Sequence, residues 1–426
     1  MSINDRSEGA FNEEVKNVTT SRSKWHVPAS IVSKRTINPI RETVHKMNAK
    51  PNPDKALISL ALGDPTHFGN FKIHENCIDA VIKQLQSYKA NGYPPAIGCE
   101  EARKAVAKKF STEEAPLTSR DVVIGSGASD ALNIAIGALC NEGQNILLPR
   151  PGFSLYQTIS KSKGIEDRYY NLLPDRNWEI DLDQLVTLID DKTVCIVINN
   201  PSNPCGSNFS RHHLELILQV CETYKLVIIS DEIYEDMVFG STKFYPIASL
   251  TKSVPILKIS GLAKRYLVPG WRVGWILIYD QNGVLDEIRS ALLSLSNLIL
   301  GSNSLIQYSI PDILFNTPNE FYEDTINKLE RNASISASIL SKIRGLHVIV
   351  PQGAMYMMVG INIKEFKDIK DDLEFTEKLL EEESVMCLPG RCFHYPDYVR
   401  IVFTPPPEKL EEAYNRIREF CIRHHI

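Results

Sequence analysis

The sequence predicts an α/β fold, a mainly parallel sheet flanked by helices and followed by a smaller α+β domain, and three observations carry that prediction. Short apolar runs alternate with longer segments of helical periodicity across the middle of the chain. Each of those runs ends in a polar or glycine-rich turn. After about residue 340 the pattern changes to several strands and few helices. Buried strands alternating with helices require crossover connections, and these cover both faces of a parallel sheet. In such sheets ligands bind beyond the carboxyl ends of the strands.

Taken in order, residues 1–24 begin "MSINDRSEGAFNEEVKN", with early acids and no apolar core of a secretory signal. They are expected to form a disordered polar tail. Residues 25–85 are expected to form an N-terminal arm and part of the small domain. The large domain is placed over 86–335. Its strands are "DVVIGSG", "NILLPRPGF", "TVCIVINNPSNP", "KLVIISDEIY" and "PILKISGLAK". Between them, "SDALNIAIGALC" and "RHHLELILQVCETY" carry apolar residues at helical spacing. The small domain is placed over 336–426. There "LHVIVPQGAMYMMVGI", "VMCLPGRCFHY" and "YVRIVFTPP" read as strands, and "DLEFTEKLLEEE" and "PEKLEEAYNRIREFCIRHH" as helices.

Composition excludes several classes. The 426 residues carry a formal net charge of −5 and no basic tract, so no field favours nucleic acid. No apolar run reaches the 18 or so residues of a membrane span. The nine scattered cysteines form no CxxC pair, and their odd number argues against a full disulfide framework. Reduced thiols fit a cytoplasmic protein, with a mitochondrial pool left open. No metal site is expected.

Four turns carry candidate chemistry. In "SGLAKRYLVPGWRVGW", Lys264 sits among small and apolar residues, with Arg272 eight positions on. Burial disfavours a charged amine, and a neutral amine is a nucleophile able to join an aldehyde; a lysine that snorkels to solvent is the plainer alternative. "IGSGASDAL" places Gly127, Ala128 and Ser129 between a strand and a helix, where small residues and a helix N-terminus suit an anion, though Ser129 or Asp130 also fits a simple cap. "NNPSNPCG" presents Asn199 and Asn203 on a proline-stiffened loop. In "IISDEIYEDMVF", Asp231 follows an apolar strand, where a carboxylate needs a partner, and Tyr234 lies three residues on.

"NNPSNPCG", "SDEIY" and "SGLAKRYLVPGWRVGW", in this order, resemble the class I pyridoxal-phosphate aminotransferases of fold type I. "NGYPPAIG", "PRPGFSLY", "NPSNPCGSNFS" and "PQGAMYM" resemble the eukaryotic tyrosine-specific branch of that family. The resemblance implies a large domain with a seven-stranded sheet. It implies pyridoxal 5'-phosphate on Lys264, which then acts as base; Asp231 on the ring nitrogen; Tyr234 and Asn203 on the ring oxygen; and Phe153 stacked on the ring. Gly127, Ala128, Ser129 and Arg272 would hold the phosphate. Tyr93 would reach the phosphate of a neighbouring subunit, which makes a homodimer part of the expectation. Arg400 would bind the substrate carboxylate, helped by Asn199, Asn203 and the backbone at Gly63. The implied reaction passes the amino group of an aromatic L-amino acid, tyrosine above all, to 2-oxoglutarate in a ping-pong cycle. Kynurenine, alanine or broad aromatic aminotransferases and β-lyases are the alternatives on the same scaffold. One departure stands out: many relatives carry serine three residues before the lysine, where this chain has Gly261 and places Ser260 one step earlier.

Overall fold

The computed structural model describes residues 25–47 and 49–426, so the expected tail over 1–24 lies outside the described residues. The larger sheet is built from β2 (Val122–Gly125), β3 (Asn145–Arg150), β4 (Glu166–Leu173), β5 (Glu179–Ile180), β6 (Thr193–Asn199), β7 (Val227–Asp231), β8 (Ile256–Gly261) and β9 (Gly274–Tyr279), in the order β2-β9-β8-β7-β6-β3-β4-β5. The pairs β3–β4, β3–β6, β6–β7 and β7–β8 are parallel, while β2–β9, β8–β9 and β4–β5 are antiparallel. The sheet has eight strands rather than the seven expected. The extra one is the two-residue β5, which pairs only with the end of β4 at the edge.

Every residue of β2, β8 and β9 is buried, as a sheet covered on both faces demands. One apolar cluster contains Ile124, Leu147, Ile196, Ile198, Ile228 and Leu277, and another contains Val123, Ile146, Val197, Ile229 and Ile276. The alternation along each strand thus divides the two faces between two cores. β4 and β9 were not legible as strands. β4, "EDRYYNLL", has too many polar residues to form an apolar run, and β9 reads as a continuation of the lysine-bearing loop.

The second sheet has the order β10-β11-β14-β13, all antiparallel, from β10 (Leu346–Val348), β11 (Tyr356–Ile361), β13 (Leu388–Pro389) and β14 (Tyr398–Val402). A separate parallel pair joins β1 (Ile58–Ser59) to β12 (Val385–Met386). The backbone N–H of Val402 also donates to the carbonyl of Leu60 at 2.8 Å, so the chain before residue 61 is tied to the C-terminal sheet.

Topology gathers the turns named above. Register pairs Asn199 of β6 with Asp231 of β7, and Asp231 with Ile259 of β8. The carboxyl ends of three adjacent parallel strands therefore present Asn199, Asp231 and, three residues past the end of β8, Lys264.

Candidate active site

The loop after β6 is held rigid by its own asparagines. Asn199 Nδ2 donates to the Asp231 carbonyl at 3.0 Å, and Asn199 Oδ1 accepts from the Asn203 backbone N–H at 2.7 Å. That places Asn203 Oδ1 where it accepts from Arg400 Nη1 at 3.0 Å, linking the large sheet to β14. Arg400 Nη2 donates to the carbonyl of Ala61 at 2.6 Å. The guanidinium lies between two rings, 4.8 Å from the Tyr356 centroid and 5.0 Å from that of Phe393. Its burial pushes its pKa down, its Nε is buried without a partner, and among the described residues no carboxylate faces it. A buried cation with an orphan donor is costly unless an anion completes it.

Asp231 is the complementary case. It is buried, and burial raises its pKa to about 6 although two donors oppose the shift, the Tyr156 hydroxyl at 2.6 Å and the Ile233 N–H at 3.3 Å. Tyr156 is a residue for which the sequence suggested no role. The available signal was its position three residues after Phe153, whose ring it meets edge-on with centroids 5.7 Å apart.

Lys264 is half-buried rather than sealed from water. Its Nζ donates to the Gly63 carbonyl at 2.7 Å and lies 5.9 Å from the centroid of the Tyr234 ring. Gly63 thus holds the lysine amine. A Cβ at Gly63 would come 2.6 Å from the Tyr356 hydroxyl, which itself hydrogen-bonds the Tyr234 hydroxyl at 2.8 Å. Tyr356 is a second residue to which no role had been assigned.

The helix Ala128–Leu139 starts directly after Gly127, whose φ of 82° suits glycine. A Cβ there would also strike Arg272 Nη2 at 2.6 Å. Arg272 donates to the carbonyls of Pro269 and Ser126, at 3.0 and 3.3 Å, and so lies beside the helix N-terminus. Free backbone N–H groups and a guanidinium together make an anion cradle.

Gly261 has a steric reason. A Cβ at this position would meet Gly274 Cα at 2.7 Å and the Val273 carbonyl at 2.8 Å, both main-chain atoms that cannot swing away. Ser260 donates instead to Glu235 Oε1 at 3.1 Å and takes no part in the cavity wall. A Gly261→Ser variant is expected to lose about 2–3 kcal/mol of stability through overpacking, read from its urea midpoint against wild type.

These groups surround one cavity of about 600 Å³. Gly63, Ala128, Ser129, Phe153, Asn199, Asn203, Asp231, Tyr234, Lys264, Arg272 and Arg400 all line it. Gly127 sits behind the wall as the helix cap. Tyr93 lies elsewhere: it is 91% exposed and lines a separate hollow with Leu300 and Ser302. The helix Pro39–Lys46, which no sequence signal announces, closes one side of the cavity with Ile40, Arg41, Val44 and His45. Among the described residues no group of His, Cys, Asp and Glu is arranged to hold a metal ion, and no helix is long and apolar enough to cross a membrane.

A lysine and a buried acid lacking a cation at the strand ends of an α/β sheet, beside an anion cradle and joined across the cavity by a buried arginine of the second sheet that lacks an anion, define an enzyme that converts carboxylated amine substrates with a phosphorylated cofactor. The chain belongs to the aminotransferase class I and II family, whose model matches residues 55–417. It is 50% identical to a tyrosine aminotransferase of Mus musculus over 95% of this chain and 89% of that one, and 50% identical to a tyrosine aminotransferase of Dictyostelium discoideum over 95% and 98%. The crystal structure of a tyrosine aminotransferase from Leishmania infantum superposes with a TM-score of 0.90 at 38% identity, covering 95% of this chain and all of that one. The protein is a pyridoxal-phosphate-dependent aminotransferase of fold type I. The residues present fit the cofactor: Asp231 lacks the cation that a protonated pyridine nitrogen provides, and the Gly127–Arg272 cradle suits a phosphate.

Proposed function

We propose that this aminotransferase moves the amino group of L-tyrosine, and of other aromatic L-amino acids, to 2-oxoglutarate in a ping-pong cycle, giving 4-hydroxyphenylpyruvate and glutamate. The observation that carries the reading is Arg400, buried with an orphan Nε in the same cavity as Lys264. The names of the relatives at 50% identity support tyrosine as donor. So do the apolar side chains of Ile40, Val44, Leu62 and Leu388, which offer a wall to an aromatic ring.

Pyridoxal phosphate, when bound, supplies an aldehyde for the amino group and a ring that takes up electrons from the substrate α-carbon. Lys264 would hold the cofactor and then move the proton at that carbon, its amine oriented by the Gly63 carbonyl. Asp231, kept in place by Tyr156, would stay ionised against the ring nitrogen. Tyr234 would face the ring oxygen with Asn203, whose Nδ2 is left to donate while its Oδ1 binds Arg400. Phe153 would pack on the ring, and Gly127, Ala128, Ser129 and Arg272 would hold the phosphate. Arg400 and Asn199 would position the substrate carboxylate through the linked hydrogen bonds described above.

In this reading Tyr93 points away from its own cavity to complete the phosphate site of a second subunit, so the working form is a homodimer. The exposure of Tyr93 supports that role. The division into an arm over 25–85, a large domain over 86–335 and a small domain over 336–426, and a cytoplasmic location, belong to the same proposal. A steady-state panel of tyrosine, phenylalanine, alanine and kynurenine, each with 2-oxoglutarate, tests it. Tyrosine is expected to give the highest kcat/KM. A preference for alanine or kynurenine of tenfold or more, or pyruvate release without any oxo acid, would overturn the substrate assignment.

A further inference from the structure

The cavity must accept two unlike side chains in turn, and this rests on the proposed use of 2-oxoglutarate as acceptor. An aromatic ring asks for apolar walls. The second carboxylate of a diacid, placed against those walls, needs a cation. Lys264, Arg272 and Arg400 are engaged at the cofactor and α-carboxylate positions. One further guanidinium lines the cavity, that of Arg41.

Arg41 stands on the helix Pro39–Lys46, whose start is capped by Asn38 Oδ1 accepting from the Arg41 backbone N–H at 3.2 Å. Ile40 and Val44 of that helix pack on Ala61, Leu388 and Phe393. Ala61 and Phe393 also contact the Arg400 guanidinium, through a carbonyl and a ring. The helix is therefore anchored over the carboxylate-binding end of the cavity rather than over the phosphate cradle. Arg41 itself is exposed, and among the described residues its guanidinium makes no hydrogen bond or ion pair. An unpaired fork at the cavity rim can grip a carboxylate bidentately, and it can lie on a ring face or turn to water when an aromatic side chain enters.

We propose that Arg41 is the specificity-determining residue for dicarboxylate substrates, binding the distal carboxylate of 2-oxoglutarate and of glutamate. Arg400 then reads what every substrate shares, and Arg41 reads what only the diacids carry. Because the Arg41 side chain is exposed and its helix contains no buried residue, its replacement leaves the buried core untouched.

The test is an Arg41→Gln holoenzyme assayed with tyrosine as donor and either 2-oxoglutarate or pyruvate as acceptor. Losing one charge-assisted bidentate contact is expected to lower the ratio of the two kcat/KM values on the order of 30-fold, through KM for 2-oxoglutarate. Arg41→Lys, which keeps the charge but not the fork, should recover part of the ratio. Calorimetric binding of glutarate to the holoenzyme should weaken by a similar factor, while binding of 3-phenylpropanoate should not. A ratio and a glutarate affinity both within twofold of wild type would overturn the role of Arg41. A wild-type enzyme unable to use 2-oxoglutarate at all would instead remove the acceptor assignment on which the inference rests.

Discussion

A Lys264→Ala variant loses turnover by on the order of 10⁴-fold, and the purified protein loses its yellow colour. Two functions disappear together, the amine that holds the cofactor and the base that moves the α-proton, and a positioned base alone contributes on the order of 10²–10⁴-fold. The fold should survive, because Lys264 is half-buried and its one hydrogen bond is to the Gly63 carbonyl. Circular dichroism and the thermal midpoint separate loss of chemistry from loss of structure. Added methylamine should restore part of the proton transfer, since it can occupy the space that the side chain vacates. Turnover within tenfold of wild type would remove Lys264 from the mechanism.

Asp231→Asn has the second largest expected effect, and it acts in opposite directions on activity and on stability. Without its carboxylate the ring nitrogen loses its counter-charge, and kcat should fall by on the order of 10³-fold. The cofactor-free protein should become more stable at neutral pH. In the folded chain burial raises the Asp231 pKa to about 6, from 3.8 for the free side chain. The folded state therefore holds the proton more tightly than the unfolded one. Its contribution to stability is fully present below about pH 4 and is lost as pH rises through 6. Two pKa units correspond to roughly 3 kcal/mol, so removing the charge should return on the order of 2 kcal/mol above pH 7 after the new amide is accommodated. The measurement is the denaturant midpoint of both apoproteins at pH 5 and pH 8. The wild type should fall relative to the variant between those values. Parallel midpoints at both pH values would show that Asp231 is not a strained acid.

The strands of the large sheet that carry the site were legible because each is a mostly apolar run stopped by a polar turn. β6, β7 and β8 end in the residues that the reading singled out, Asn199, Asp231 and Gly261 with Lys264 beyond it. Strands without that contrast were missed. β4 mixes tyrosines with charged residues and lies near the sheet edge, and β9 continues directly from the lysine loop. Among the residues that line the cavity, Lys264 and Asp231 stand out in the sequence as charges in an apolar setting, whereas Arg400 is pointed to only by the family resemblance. Two buried tyrosines outside the quoted strand-end turns gave no such signal. Tyr156 and Tyr356 look like ordinary core aromatics until their hydroxyls are seen on Asp231 and Tyr234. Arg41 lies more than 200 residues from Lys264 on the exposed side of a half-buried helix, and only tertiary packing of Ile40 and Val44 brings it to the cavity. Gly261 shows the converse. The sequence revealed the departure, and its cause is the close approach of Gly274 on the neighbouring strand.

The most direct measurement is reduction of the purified holoenzyme with borohydride, followed by digestion and peptide mass spectrometry. Reduction turns the carbon–nitrogen double bond between enzyme and cofactor into a stable single bond and fixes the label to one side chain. A single pyridoxyl-phosphate adduct is expected on Lys264, abolished in the Lys264→Ala variant and absent from Lys258, which is buried against Glu232 and Glu235. An adduct on any other lysine, or none on a protein that still transaminates, would contradict the role of Lys264.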